Sequence, residues 1–135
     1  MIRDLITWLE TDASLQTLLN GNAGNKKFFP IMTKPSGETT PYVRYFSSSE
    51  GSGDNVLEES MVTLNVIGED FDECAAISYR LSELLDVWEG LTVPSTRFYI
   101  YYSRKVAGSD SAEEDTNLYV LSRIFHIKYK RKTGG

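Results

Sequence analysis

A chain of 135 residues is long enough for one hydrophobic core and too short for two. With 41% hydrophobic and 24% charged residues it has the balance of a globular fold, and no apolar run approaches the roughly 18 residues of a membrane span. Lys and Arg number 14 against 19 Asp and Glu, a formal charge of −5 that argues against nucleic acid as a specific partner.

The N-terminal segment carries Ile2, Leu5, Ile6 and Leu9 at the three-and-four spacing of a helix face. Asp12 has the character of a fresh N-cap for a second stripe of Leu15, Leu18 and Leu19, and Asn20-Gly21 supplies a stop, so one helix or a kinked pair fits equally. The segment is broken by Thr7, Glu10 and Asp12, unlike a secretory signal, and the expectation is a chain that stays in the cytoplasm. Phe28 to Met32 fits a short edge strand, because Pro30 cannot donate to a central ladder. Tyr42 to Phe46 predicts a strand, and Met61 to Gly68 another, with Val62, Leu64 and Val66 alternating against Thr63 and Asn65. Between them, residues 47–60 are rich in Ser and Gly and predict a mobile loop.

Asp70 can cap a helix, with Glu73 placed to reach back to it. Cys74, Ile77, Leu81, Leu84, Leu85 and Trp88 then make one apolar stripe ending at Gly90, with Arg80, Glu83 and Asp86 on the wet side. Arg97 to Val106 predicts a strand, residues 107–117 a mobile acidic loop, Leu118 to Lys130 a last strand, and residues 131–135 a disordered tail. The expected fold is a single α+β domain over 1–135. Its antiparallel sheet has about four main strands, with an N-terminal and a central helix on one face in the order α-β-β-α-β-β.

On the last strand Tyr119, Leu121, Phe125, Ile127 and Tyr129 share one face, while Val120, Ser122, Ile124, His126 and Lys128 share the other. A face not covered by helices should be largely polar, yet this one keeps Val120, Ile124 and either the Tyr99/Tyr101 or the Phe98/Ile100 set. Tyr99, Tyr101, Val120 and Ile124 are therefore candidates for a protein contact.

Nothing in the sequence assembles a catalytic site. His126 is the one histidine and is expected on the surface, and Cys74 falls inside a buried stripe. One His and one Cys make no zinc site, and Asp110, Glu113, Glu114 and Asp115 lack the ligand alternation of a calcium loop. The expectation is no enzyme, no cofactor and no metal.

The layout resembles the tail completion, or tail terminator, proteins of long-tailed bacteriophages. The likeness rests on the Leu9-x-x-Asp12-x-x-Leu15-x-x-Leu18 helix, Pro41-Tyr42-Val43, and Val62 to Gly68 after a loop. It continues with the helix from Asp70 through Ala75, Ile77 and Leu81, and Arg123 to Tyr129 at the end. The resemblance implies a hexameric ring that closes the tail tube and meets the head connector. Its partners would be the tail tube protein and head connector proteins, with no membrane contact. The chain would assemble in the host cytoplasm and end in the virion. DNA would pass through such a ring without specific binding. Loop residues Ser48, Glu50, Asp54, Glu58, Glu59, Asp110, Glu113, Glu114 and Asp115 would then be docking candidates. Two alternatives are another minor tail or head-closure protein and, from a different class, a bacterial small-ligand-binding or enzymatic α+β domain.

Overall fold

A computed structural model describes residues 1–20, 27–31, 40–49, 58–94 and 97–132. The elements in chain order are α1 (Ile2–Glu10), α2 (Ala13–Leu18), β1 (Phe28–Pro30), β2 (Tyr42–Ser49) and β3 (Glu58–Gly68). They continue with α3 (Phe71–Leu85), β4 (Glu89–Leu91), β5 (Phe98–Glu113) and β6 (Leu118–Arg131). The α+β class stands, but the sheet has six strands in the order β1-β2-β3-β6-β5-β4 instead of about four. It is also mixed, because β1 runs parallel to β2 while the other pairings are antiparallel.

The N-terminal segment is two helices. Asp12 sits in an extended conformation between them, and its carboxylate accepts from the Leu15 amide at 3.0 Å. Arg80 of α3 donates to the same carboxylate through two nitrogens, at 3.0 and 2.7 Å, so the cap also ties α2 to α3. Arg80 stays partly exposed, and it also lies 3.6 Å from Glu83.

All three helices lie on one face of the sheet. Leu5, Leu9, Leu15, Ile77, Leu81 and Leu85 meet Val43, Val62, Leu64, Val66, Ile100, Leu121, Phe125 and Ile127 in one cluster of buried side chains. Cys74 belongs to it, and its Sγ packs so close to Gly68 that an added Cβ there would stand 2.7 Å away. Burial pushes the Cys74 thiol up to about 11.

Three segments depart from the sequence reading. Residues 107–113 belong to β5, paired with β6 from Ala107↔Ile124 to Glu113↔Leu118, and only 114–117 form a turn. The backbone ladder to β6 outweighs the weak strand preference of Gly, Ser and Asp. Of the span 47–60, residues 47–49 extend β2 and 58–60 extend β3; Glu50 and Asp54 lie outside the described residues. Arg131 ends β6 and the Lys132 amide donates to Arg97 at 2.8 Å, so this much of the tail is paired, while 133–135 lie outside the described residues.

The third helix stops three residues before Trp88. At its end Asp86 leaves the helical conformation, and its Oδ1 accepts from the Lys105 amide at 2.9 Å. Ser103 Oγ donates to the Leu85 carbonyl at 2.6 Å, satisfying a buried helix end. Trp88 is then turned outward at φ 58°, not laid on the core stripe.

Candidate interaction surfaces

The sheet face away from the helices is set by strand alternation. Ile100 is buried with the core, so Tyr99 belongs to the other side, opposite Lys130. Tyr101 is the extra residue of a bulge between Ile100 and Tyr102, with its ring centroid 6.3 Å from that of Tyr99. Both are about half exposed, at 52% and 51%. Between the Tyr99/Tyr101 and Phe98/Ile100 sets, the first occupies this face.

Next to them stands a cluster that the sequence reading missed. Trp88, 61% exposed, meets Tyr102 edge-to-face at 6.2 Å, and the Arg104 guanidinium lies 5.4 Å from the Trp88 ring and 6.0 Å from Tyr102. Lys128 Nζ is 5.7 Å from the Tyr102 ring and Lys132 Nζ 4.5 Å from Tyr99. Each such contact contributes about 0.5–1 kcal/mol at exposed sites. The helix ends before Trp88 because Asp86 and the Leu85 carbonyl are tied to β5, contacts that no local stop signal announces.

The opposite end of the sheet is acidic. After Glu113 the chain turns through Asn117, which takes φ 57° and donates its amide to the Glu113 carbonyl at 3.0 Å. Glu113 also accepts from Thr116 Oγ1 at 3.1 Å, and Glu113, Glu114 and Asp115 are exposed. Gly68 pairs with Tyr119, and Phe71 stacks on Tyr119 at 5.5 Å, which brings Glu69, Asp70, Asp72 and Glu73 to the same end. Lys130, Arg131 and Lys132 lie at the other, so charge is separated along the strands.

The remaining candidates are differently placed. Asp110 is not a free loop carboxylate, because Arg123 pairs with it at 2.7 Å while donating to the Ser122 carbonyl at 2.8 Å. Glu58 and Glu59 lie in the β3 ladder. Glu58 lies 3.6 Å from Arg131, while Glu59 lies 3.5 Å from His126 and 3.8 Å from Lys128. His126 is therefore a largely buried residue beside Glu59 on the open face, not a bare surface residue. Ser48 is exposed, and its carbonyl accepts from Ser60 Oγ at 3.1 Å. Val120 and Ile124 are half-buried on the open face, nearer the acidic end than the Tyr99 cluster.

Beta4 pairs with β5 only at Ser103 and Ile100. Beyond Lys105, whose amide is taken by Asp86, β5 forms an exposed sheet edge from Val106 to Glu113. Gly108 and Asp110 are residues that discourage indiscriminate strand addition. Among the described residues no group of three His, Cys, Asp or Glu is placed to hold a metal ion, and no helix is long and apolar enough to cross a membrane.

The class defined so far is a two-layer α+β fold with helices on one face of a six-stranded sheet. The chain is similar in structure to a chain in the virion of a native gene transfer agent (GTA) particle. The TM-score is 0.67 at 14% sequence identity, over 93% of this chain and 90% of that one. At that identity the likeness is one of fold. No family model matches the sequence, and no curated protein matches it either.

Proposed function

We propose that this chain is a non-catalytic structural protein of a phage-type particle, a hexameric ring that closes the tail tube and joins it to the head connector. The observation that carries this reading is the fold likeness to a virion component, which spans nearly the whole of both chains. Three features support it. The exposed Trp88, Tyr99 and Tyr101 are side chains of the kind that dominate protein interfaces. Cys74, buried and with its thiol held protonated, is unsuited to nucleophilic work. A net charge of −5 also suits a ring that DNA traverses without adhering, since carboxylates repel phosphates. The chain would assemble in the host cytoplasm and remain in the finished particle.

The test mixes purified chain with tail tubes that lack a terminal protein and views the tube ends by negative-stain microscopy. Ring density at one end is the expected outcome. Bare tube ends across a concentration series would overturn the tail-closing role. A thermal-shift screen against nucleotides and metabolites addresses a ligand-binding domain, since a ligand at 100 times its Kd adds about 2.7 kcal/mol.

A further inference from the structure

Three ion pairs on the sheet are closed within the chain: Asp110 with Arg123, Glu59 with Lys128 and Glu58 with Arg131. Two sets of charges outside these pairs are opposite in sign. Glu114 and Asp115 project from the turn after β5 with no cation against them among the described residues. Arg104 lies against the Trp88–Tyr102 pair, held by aromatic faces alone, and Lys130 stands on the same face opposite Tyr99; neither has a carboxylate against it among the described residues.

We propose that the acidic turn of one copy docks on the Trp88–Tyr102–Arg104 cluster of the next, with Lys130 on the same face, joining copies head to tail. This rests on the reading of the chain as a self-assembling ring and names the surfaces that make the contact. A single chain cannot close it on itself. The nine residue steps of β5 from Arg104 to Glu113 place the turn about 30 Å away at roughly 3.3 Å per step. Because the two surfaces differ, the contact is heterologous, and it repeats until the rotation closes a ring. The aromatic rings would shield carboxylate–guanidinium pairs from water and raise their value above that of an open surface pair. The net charge of −5 does not prevent this, since repulsion beyond about 8 Å is screened at physiological salt. A single-stranded nucleic acid is the other occupant such a cation–aromatic cluster can take.

Sedimentation velocity on the full chain tests the proposal. The turn variant is Glu114→Lys with Asp115→Lys, and the cluster variant is Arg104→Glu with Lys130→Glu. Each is expected to weaken self-association by about tenfold or more, and raising the salt is expected to weaken that of the wild type. Combining all four substitutions in one chain restores the association to within about fivefold of wild type, because the charges are exchanged and not lost. Trp88→Ala gives the same loss as the cluster variant without a charge change, which keeps the test intact if Arg104→Glu disturbs folding. Single variants that associate as well as wild type would overturn the docking and leave a ring built through other surfaces. Normal self-association with bare tube ends would instead leave the docking in place and remove the tail-closing role. A wild-type chain that stays monomeric, or a single-stranded oligonucleotide whose binding is lost in the cluster variant, would also overturn the proposal.

Discussion

The two faces of this sheet are made from the same strands and carry different chemistry. Under the helices, Leu64, Leu121, Phe125 and Ile127 alternate inward and are fully buried. On the other side, the same strands and the turn before them present Trp88, Tyr99, Tyr101, Arg104, Lys128 and Lys130. The first face gives up water on folding; the second keeps aromatic rings and cations in water. Retaining apolar area where a sheet of this kind tolerates polar side chains is a cost that the proposed association would recover. The core thus lies on one side of the sheet and the proposed contact on the other.

The largest effect that separates the faces is a truncation on each. Phe125→Ala should cost about 3–5 kcal/mol in urea denaturation. Tyr101→Ala should stay within about 1 kcal/mol while leaving the fold intact. Equal costs would erase the distinction. Ser103→Ala should cost about 1–3 kcal/mol, because it leaves the buried Leu85 carbonyl without its donor.

Asp12 offers a sharper, pH-dependent test of the helix layer. Its hydrogen bonds from Arg80 hold the carboxyl below its usual range, ahead of the opposing effect of burial. A depressed carboxylate stabilises the fold fully above the ordinary value and loses that contribution as pH falls through the lowered one. Urea midpoints should therefore fall below about pH 4 in the wild type and fall less steeply in Asp12→Asn, which keeps the cap but not the charge. The smallest effect is kinetic. With its thiol near 11, about a thousandth of Cys74 is thiolate at pH 8, and burial blocks the rest. Native protein should resist alkylation that urea-unfolded protein undergoes at once.

Much of the helix face was legible because alternation and capping are local. Val62, Leu64 and Val66, and the caps at Asp12 and Asp70, announce themselves within a few residues. The Asp70 side chain accepts from the Asp72 amide at 3.0 Å. What was not legible depended on distant segments. Residues 107–113 become strand only because β6 supplies a ladder, and β4 exists only because β5 lies beside it. Trp88 read as a helix residue since Leu81, Leu84 and Leu85 led up to it. Its true place follows from Asp86 and Ser103, which fasten the helix end to β5 and turn the chain outward. Arg104 entered no motif because its partners are aromatic rings, Tyr102 on its own strand and Trp88 from a separate segment, not carboxylates at a recognisable spacing.

In the proposed assembly the open face is the part of the molecule that a neighbour covers. Hydroxyl-radical footprinting of the free chain and of the proposed ring, read at Trp88, Tyr99 and Tyr101, tests that cover directly. All three are exposed in the single chain, and oxidation of Trp88 in particular should fall several-fold on assembly. Rings that oxidise as fast in the assembly as in the free chain would show that copies meet elsewhere and that these side chains serve no contact.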